Sequence, residues 1–372
     1  MPESLPDPRR HPRHADQRGR ALDTPPAAVI LAGGQGTRLR PLTLACPKPI
    51  VPLLNVPFLH YQLALLHRHG VREVVLACSY LLEAVQARLG DGRELGVRLR
   101  YAVEAEPLGT AGGVKNAATL AAGRLVVLNG DVLTDVDLTR MLGFHEARGA
   151  RASLYLTAVE DPTAYGLVET DTDGRIRRFV EKPAREQITT NTVNAGIYLL
   201  ERELLDLIPA GQVVSMERDF FPTLLERRVP CYGFAARAYW RDTGSPEQYR
   251  RAQVDLLKGA VDTPLSPPGT RRGDVWVGAG VSIAPGASVT GPAVLGAGVR
   301  LEPEARVGPL SVLGDNVRVG RGGRVEGAIL WDNVSVGEAA VLSECVVGFG
   351  AVIGKGARVG AGAVVAENEV VP

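Results

Sequence analysis

From Val277 onward an aliphatic residue recurs every six positions: Val277, Ile283, Val289, Leu295, Leu301, Val307, Leu313, Val319 and Val325. Two residues before each stands a small or β-branched one, among them Val281, Ala287, Ala293, Val299, Ala305, Ser311 and Val317. The register slips by one near Leu330 and again near Val347, then resumes at Ile353, Val359, Val365 and Val371. A β-sandwich would alternate in twos, with turns every 8 to 12 residues, and does not fit. A period of six specifies a parallel β-helix, in which each coil buries aliphatic side chains along its axis and turns corners with small ones. About seventeen hexads at three per coil predict roughly six coils, a stack of about 29 Å at a strand spacing of ~4.8 Å.

A repeat of that size accounts for about a quarter of the 372 residues, and a chain this long divides into more than one domain. From Pro26 the pattern differs. Short apolar runs at Ala27 to Ala32, Glu73 to Ala77, Leu99 to Val103 and Arg124 to Leu128 alternate with helical stretches such as Asn55 to His69. Strands buried on both faces with helical crossovers predict a doubly wound α/β domain. Looser strand signals at Ala152 to Val159, Gly166 to Thr170, Ala195 to Leu200 and Val229 to Ala236 make the sheet mixed beyond residue 150. Ser245-Pro-Glu-Gln248 is a capping box with proline at the first helical position, opening a helix to about Lys258. The proline-rich, aperiodic stretch Gly259 to Gly273 is a linker. The expected organisation is a leader over 1–25, an α/β domain over 26–258, a linker over 259–274 and the β-helix over 275–372.

With 42 Lys+Arg against 41 Asp+Glu, the chain offers no global field for nucleic acid or an acidic membrane. No apolar run approaches the ~18 residues that span a bilayer. The leader holds Arg9, Arg10, His11, Arg13, His14, Arg18 and Arg20 without an apolar core, so it is read as disordered and not as a secretory signal. Cys46, Cys78, Cys231 and Cys345 form no C-x-x-C pair, which fits reduced thiols in a cytoplasm.

The first strand runs into Gly33-Gly34-Gln35-Gly36-Thr37-Arg38. A glycine-rich turn at the carboxyl end of a parallel strand lets backbone N–H groups approach an anion, and Arg38 adds a bidentate donor. The P-loop lysine is missing, and Leu39 stands where a Rossmann fingerprint needs its third glycine. Pro47-Lys48-Pro49 then holds a lysine between two φ-restricted residues. Together, Gly33 to Pro49 closely resembles the signature of the nucleoside-diphosphate-sugar pyrophosphorylases, the sugar-1-phosphate nucleotidyltransferases. Further matches follow in that family's order through most of residues 27 to 258.

The resemblance implies roles residue by residue. Leu31, Gly33, Gly34, Gly36, Thr37 and Arg38 would bind the nucleotide, with Leu108, Gly109 and Thr110 of Leu108-Gly109-Thr110-Ala111-Gly112 reading the base. Asp131, in Asn129-Gly130-Asp131, and Asp242, in Trp240-Arg241-Asp242-Thr243-Gly244, would hold Mg²⁺. Gly166, Glu181, Lys182 and Asn194 would meet the sugar phosphate, with Arg38, Lys48 and Lys182 as the catalytic cations. The implied reaction joins a nucleoside triphosphate to a sugar 1-phosphate and releases pyrophosphate, which calls for charge neutralisation and in-line positioning. The nucleophile is already an anion, so no general base is needed. All six histidines lie outside the motifs.

The Leu-Gly-Thr-Ala-Gly loop with a hexapeptide tail is most similar to the mannose-1-phosphate guanylyltransferase group, so GTP and mannose 1-phosphate are the expected substrates. Glucose-1-phosphate uridylyl-, thymidylyl- or adenylyltransferases share most of these residues. A non-catalytic sensor that binds a nucleotide sugar would lose charged members of the site, all of which are present here. The tail's resemblance is to the left-handed β-helix. Hexapeptide acyltransferases use a histidine base, and Gly259 to Pro372 contains none. The β-helix is therefore assigned to assembly or allostery, with a homo-oligomer expected.

Overall fold

The computed structural model describes residues 25–79, 81–104 and 106–372; the leader expected over 1–25 lies outside the described residues except for Pro25. Strand β1 (Ala27–Leu31) is followed by a hairpin of β2 (Pro52–Leu53) and β3 (Val56–Pro57), helix α1 (Phe58–Arg68), β4 (Glu73–Cys78), α2 (Leu82–Leu89) and β5 (Arg98–Val103). Next come α3 (Gly109–Ala118), β6 (Leu125–Asn129), β7 (Val132–Thr134), α4 (Leu138–Ala147), β8 (Ala152–Ala158), β9 (Gly166–Thr170), β10 (Ile176–Glu181) and β11 (Thr192–Leu200). Helix α5 (Phe221–Glu226), β12 (Cys231–Ala235), β13 (Trp240–Asp242) and α6 (Pro246–Leu257) complete the α/β domain.

Among the described residues these strands form a nine-stranded sheet with the path β10-β9-β11-β6-β1-β4-β5, while β8 joins β11 to β12. Strand β1 lies between β4 and β6 and runs parallel to both, and its first four residues are buried, as the unbroken apolar run requires. The sheet turns mixed where β11 pairs antiparallel with β6 and β8. This is the expected doubly wound architecture, with two differences of detail. Helix α1 starts at Phe58 because Leu54 and Asn55 both adopt positive φ as the tip of the β2–β3 hairpin, a turn whose twist matches its strands. Ser245 caps α6 by accepting the Gln248 N–H, but the Gln248 side chain accepts from Arg241 at 2.6 Å instead of closing the box.

Beyond α6, Gly259 takes φ 70°, the left-handed residue that ends a helix. The stretch expected to be a structureless linker ends in a strand, Thr270–Arg272, antiparallel to Val275–Val277. From Val275 onward short strands stack in three parallel sheets, one strand from each sheet per coil, which is a parallel β-helix. The interior holds Leu295, Leu301, Val307, Leu313, Val319 and Val325, all at most 2% exposed, in the hexad register. The open first coil leaves Ile283 49% exposed.

One face of this prism is not solvated. Val294, Val312, Ile329, Trp331 and Val346 point outward from it and belong to the same buried cluster as Leu59, Leu63 and Tyr249 of the α/β domain. Asn55 Nδ2 donates to Leu313 O at 2.8 Å, and Trp331 Nε1 donates to the Tyr249 hydroxyl at 3.0 Å.

At the far edge of the α/β domain, His145 is buried between Ser153 Oγ at 2.8 Å and Glu201 Oε1 at 3.2 Å. Arg124 reaches both Glu201 and Glu146 at 2.7 Å. Serine, histidine and glutamate in line resemble a nucleophile relay, yet Ser153 is 0% exposed and no substrate can reach it. Burial, followed by the Arg124 charge, holds the imidazole below its ordinary 6.5. Burial opposes ionisation of Glu201, but Arg124 outweighs it and holds that carboxyl below 4.5. Both groups bind protons less readily folded than unfolded, so their stabilisation is complete above about pH 6.5 and lost as pH falls. The Tm is expected to be flat from pH 8 to 7 and to drop from pH 6.5 toward 5. The half-buried His60, lowered by burial and then Arg88, adds the same sign, and His145→Gln should shallow the slope. A wild-type Tm that stays level between pH 7 and 5 in scanning calorimetry would contradict this.

Candidate active site

The carboxyl ends of β1 and β6 open onto a cleft of about 480 Å³ whose wall includes Leu31, Gly33, Gly34, Gly36, Thr37, Arg38, Lys48, Gly109, Thr110 and Asp131. A crevice at this end of a parallel sheet is where an α/β fold collects ligands. Gly36 takes φ 62°, and a Cβ there would sit 3.1 Å from Thr43 Cγ2 and 3.3 Å from Lys48 Cβ. Thr43 Oγ1 donates to Gly36 O at 2.7 Å, so the glycine turn and the lysine turn are fixed against each other. A Cβ at Gly34 would meet nothing within 4 Å, which leaves that side of the backbone approachable by an anion.

Asp131 and Asp242, 111 positions apart, meet because β7 pairs antiparallel with β13, setting Asp242 opposite Val132. Thr243 fastens the two segments by donating its N–H and its hydroxyl to Asp131 O, each at 2.9 Å. Lys48 Nζ lies 2.7 Å from Asp131 Oδ2. The Arg38 guanidinium spans both acids, at 3.9 Å from Asp131 Oδ2 and 3.5 Å from Asp242 Oδ2. Burial, and after it the Asp131 charge, raises the Asp242 carboxyl above its ordinary value, against the pull of Lys48 and Arg38. Two carboxylates in one cleft with two cations beside them form a site that exchanges charge with a ligand. Arg38 is 65% exposed and free to turn toward a phosphate.

Among the described residues no group of three or more His, Cys, Asp or Glu could hold a metal ion. A hard cation at Asp131 and Asp242 would therefore complete its shell with water and ligand phosphate oxygens, as Mg²⁺ does in nucleotide sites. The donor set, the Asp131 carboxylate on the cleft wall and the more buried Asp242 carboxylate against Arg38, fits that ion.

The loop from Leu108 to Gly112 is held from behind. Gly109 has φ 72°, and a Cβ there would lie 2.5 Å from Val214 O, so only glycine fits. Val214 N donates to Leu108 O and accepts Ala111 N at its own carbonyl, each at 2.9 Å. Thr110 Oγ1 accepts from Met216 N at 2.7 Å and donates to Glu217 at 3.0 Å. That hydroxyl is occupied within the protein, which leaves the loop's backbone to face the cleft.

The residues expected at the sugar phosphate lie on β9 to β11, beside the cleft and not on its wall. Gly166 pairs with Glu181 across β9 and β10, and a Cβ at Gly166 would strike Phe179 Cζ at 2.7 Å. Glu181 is half-buried, and burial followed by Glu217 raises its carboxyl. Lys182 adopts φ 49°, donates its N–H to Tyr165 O at 3.0 Å and exposes its side chain. Asn194 is committed inward: Nδ2 donates to the Tyr198 hydroxyl at 2.8 Å and Oδ1 accepts Gly196 N at 3.1 Å. One amide hydrogen is left for a ligand. Tyr165 and Trp240 stack edge to face at 5.4 Å, and the Tyr165 hydroxyl feels the charges of Asp242, Arg38 and Asp131. The aromatic pair joins the start of β9 to β13, the strand that carries Asp242.

Gln35, Ser79, Glu104 and Asn129 also line the cleft, and sequence reasoning did not single them out. Glu104 accepts Leu108 N at 3.2 Å, and Ser79 Oγ donates to Gly33 O at 2.9 Å. Gln35 and Asn129 each stood in a motif noted for its other residues; Ser79 and Glu104 carried no signal in local spacing.

Comparison with known proteins agrees with this geometry. The Nucleotidyl transferase family profile matches residues 27–259, and the profile described as EIF2B subunit epsilon LbH domain, a left-handed β-helix, matches residues 272–372. The mannose-1-phosphate guanylyltransferase of Mycobacterium tuberculosis is 40% identical over 85% of this chain and 82% of its own. A UTP–glucose-1-phosphate uridylyltransferase of Synechocystis is 35% identical over 68% and 69%. Among solved structures, HddC from Yersinia pseudotuberculosis aligns at 30% identity and TM-score 0.54, covering 62% of this chain and 99% of HddC. A Bacillus anthracis protein described as a putative glucose-1-phosphate thymidylyltransferase shares the fold at 22% identity, TM-score 0.58, over 64% of this chain and 97% of that one.

Proposed function

The chain belongs to the nucleotidyl transferase family, and from that premise we propose that it transfers a guanylyl group from GTP to mannose 1-phosphate, giving GDP-mannose and pyrophosphate. The observation that carries the reading is the convergence of Asp131, Asp242, Lys48 and Arg38 on the cleft behind the glycine turn. The similarity to mannose-1-phosphate guanylyltransferases over most of the chain supports the choice of sugar and base. Glu104, one oxygen of which already accepts Leu108 N, adds a second and weaker support for the base. Its carboxylate, an acceptor-only group, lies on the cleft wall beside the base-side loop. The Watson–Crick edge of guanine presents two N–H donors to such a group, whereas that of uracil or thymine presents one.

In the proposed mechanism the backbone N–H groups from Gly33 to Thr37 cradle the triphosphate, and Arg38 leaves its carboxylates to pair with the phosphate oxygens. Lys48, 13% exposed, cannot swing far and serves as a fixed positive charge on the leaving side. Lys182 holds the sugar phosphate in line. Mg²⁺ held by Asp131 and Asp242 would neutralise phosphate charge and align the reacting groups. An oxygen of the sugar 1-phosphate attacks the α-phosphorus; that P–O bond forms as the bond to pyrophosphate breaks, and no proton has to move.

The proposal extends to a cytoplasmic homo-oligomer, supported by four free cysteines, all buried, and by the two β-helix faces that remain exposed. Purified protein with Mg²⁺ should release pyrophosphate only when given both substrates. In a panel crossing GTP, UTP, dTTP and ATP with mannose and glucose 1-phosphates, GTP with mannose 1-phosphate should give the highest kcat/KM. A preference for UTP or dTTP with glucose 1-phosphate would replace this assignment with the uridylyl- or thymidylyltransferase one. Failure of every pair would favour a regulatory subunit.

A further inference from the structure

Helix α1 packs an apolar face of Leu59, Leu63 and Leu66 into the domain core, yet it carries Gln62, 2% exposed, in the midst of it. Both hydrogens of its Nε2 are used, one on Asn129 O and one on Val132 O, each at 2.8 Å. Its Oε1 is buried with no hydrogen-bond partner among the described residues. The amide is kept for what its two donors do, since an apolar chain of that volume would spare the unmatched oxygen but release both carbonyls. The two carbonyls it ties together flank Gly130 and Asp131.

We propose that Gln62 is a positioning residue for the reaction: it clamps the bend between β6 and β7 so that the Asp131 carboxylate faces Asp242 at the spacing a divalent cation needs. The bend is held on its other sides by motif residues. Gly130 N donates to Leu31 O at 2.8 Å at the start of the phosphate turn, and Thr243 holds Asp131 O. Gln62 supplies the remaining side from outside every motif. Groups that orient a metal-bearing carboxylate without touching the metal typically change metal affinity about 10–100-fold when removed. The inference rests on the assignment of Asp131 and Asp242 as the metal carboxylates.

The test uses the full chain with Gln62→Met, which keeps volume and flexibility and removes both donors. Mn²⁺ binding, read by electron paramagnetic resonance with a non-reactive GTP analogue present, should weaken at least about 10-fold. The kcat should fall by a similar factor, while KM for either substrate moves less than about threefold and circular dichroism shows a fully folded protein. Unchanged Mn²⁺ affinity, or a kcat loss that merely tracks the folded fraction, would overturn the proposal.

Gln62→Glu provides a second route should the methionine variant not fold. A buried carboxyl stays protonated to higher pH and then keeps one O–H donor, so relative Mn²⁺ affinity should be higher at pH 6 than at pH 8. Wild-type affinity at both pH values would count against the clamp. Asp131→Asn is measured alongside. If it leaves Mn²⁺ affinity intact, the metal assignment fails and takes the clamp with it; if it abolishes binding while Gln62→Met does not, the clamp alone fails.

Discussion

Replacing Asp131 and Asp242 together by asparagine should lower kcat by at least about 10³-fold, the scale of roughly 4 kcal/mol of lost transition-state stabilisation. On the proposed assignment two carboxylates would be the protein's whole contribution to the cation, because no group of three or more His, Cys, Asp or Glu that could hold a metal ion is found among the described residues. Asparagine keeps the shape and the contact to Lys48 but removes the charge. Stability should move the other way. Asp242 has its carboxyl raised by burial and by Asp131, so its ionised form opposes folding, an effect that grows as pH rises past the ordinary carboxyl value of 3.8. Asp242→Asn alone should therefore leave Tm unchanged or higher at pH 8. Pyrophosphate release and differential scanning calorimetry on the same samples check both halves. Activity within tenfold of wild type in the double variant would remove the carboxylate pair from the mechanism.

That pair was marked in the sequence by its resemblance to the family's motifs, each aspartate sitting in a short run with its own backbone logic. Asp131 follows an apolar strand at the carboxyl edge of the sheet, and Asp242 precedes Thr-Gly before a capped helix. The glycine turn was legible for the same reason, since positive φ at Gly36 is a local demand on residue type. The groups that sequence alone left unmarked act across the chain. Gln62 reads as one more residue of an amphipathic helix, Glu217 reaches Thr110 across 107 positions, and Glu104 joins the cleft wall only once the fold is assembled. Asn194 illustrates the converse: its motif suggested a ligand contact, while its side chain is largely spent on the irregularity between Asn194 and Tyr198 in the β11–β8 register.

The mode of attachment of the β-helix was present in the sequence at a longer period than six. The residue before each buried aliphatic position is arginine in several hexads, at Arg300, Arg306, Arg318, Arg324 and Arg358, all exposed. At every third hexad it is instead Val294, Val312, Ile329 and Val346, all buried. One face in three is therefore apolar outside as well as inside, and such a face has to be covered. A proline-rich linker suggests domains that move independently, but the buried face joins them into one core.

Trp331 tests that joint most sharply. It is 2% exposed, lies 4.6 Å from the Phe349 ring and 6.3 Å from that of Tyr249, and its Nε1 donates to Tyr249 O–H. Tyr249 in turn donates to Pro52 O, on the hairpin between the Lys48 turn and α1. Trp331→Ala should destabilise the protein by about 3–5 kcal/mol, the usual consequence of emptying a large aromatic site, and lower Tm by several degrees. Trp331→Phe keeps most of the packing but leaves the buried tyrosine oxygen one donor short, so a smaller loss near 1 kcal/mol is expected. Because the tryptophan is a β-helix residue buried in the core cluster of the α/β domain, wild-type calorimetry should show a single transition, and the alanine variant should split it, the β-helix melting apart from the α/β domain. Two separate transitions in the wild type, or a Trp331→Ala trace that overlays it, would mean that the domains touch without sharing a core.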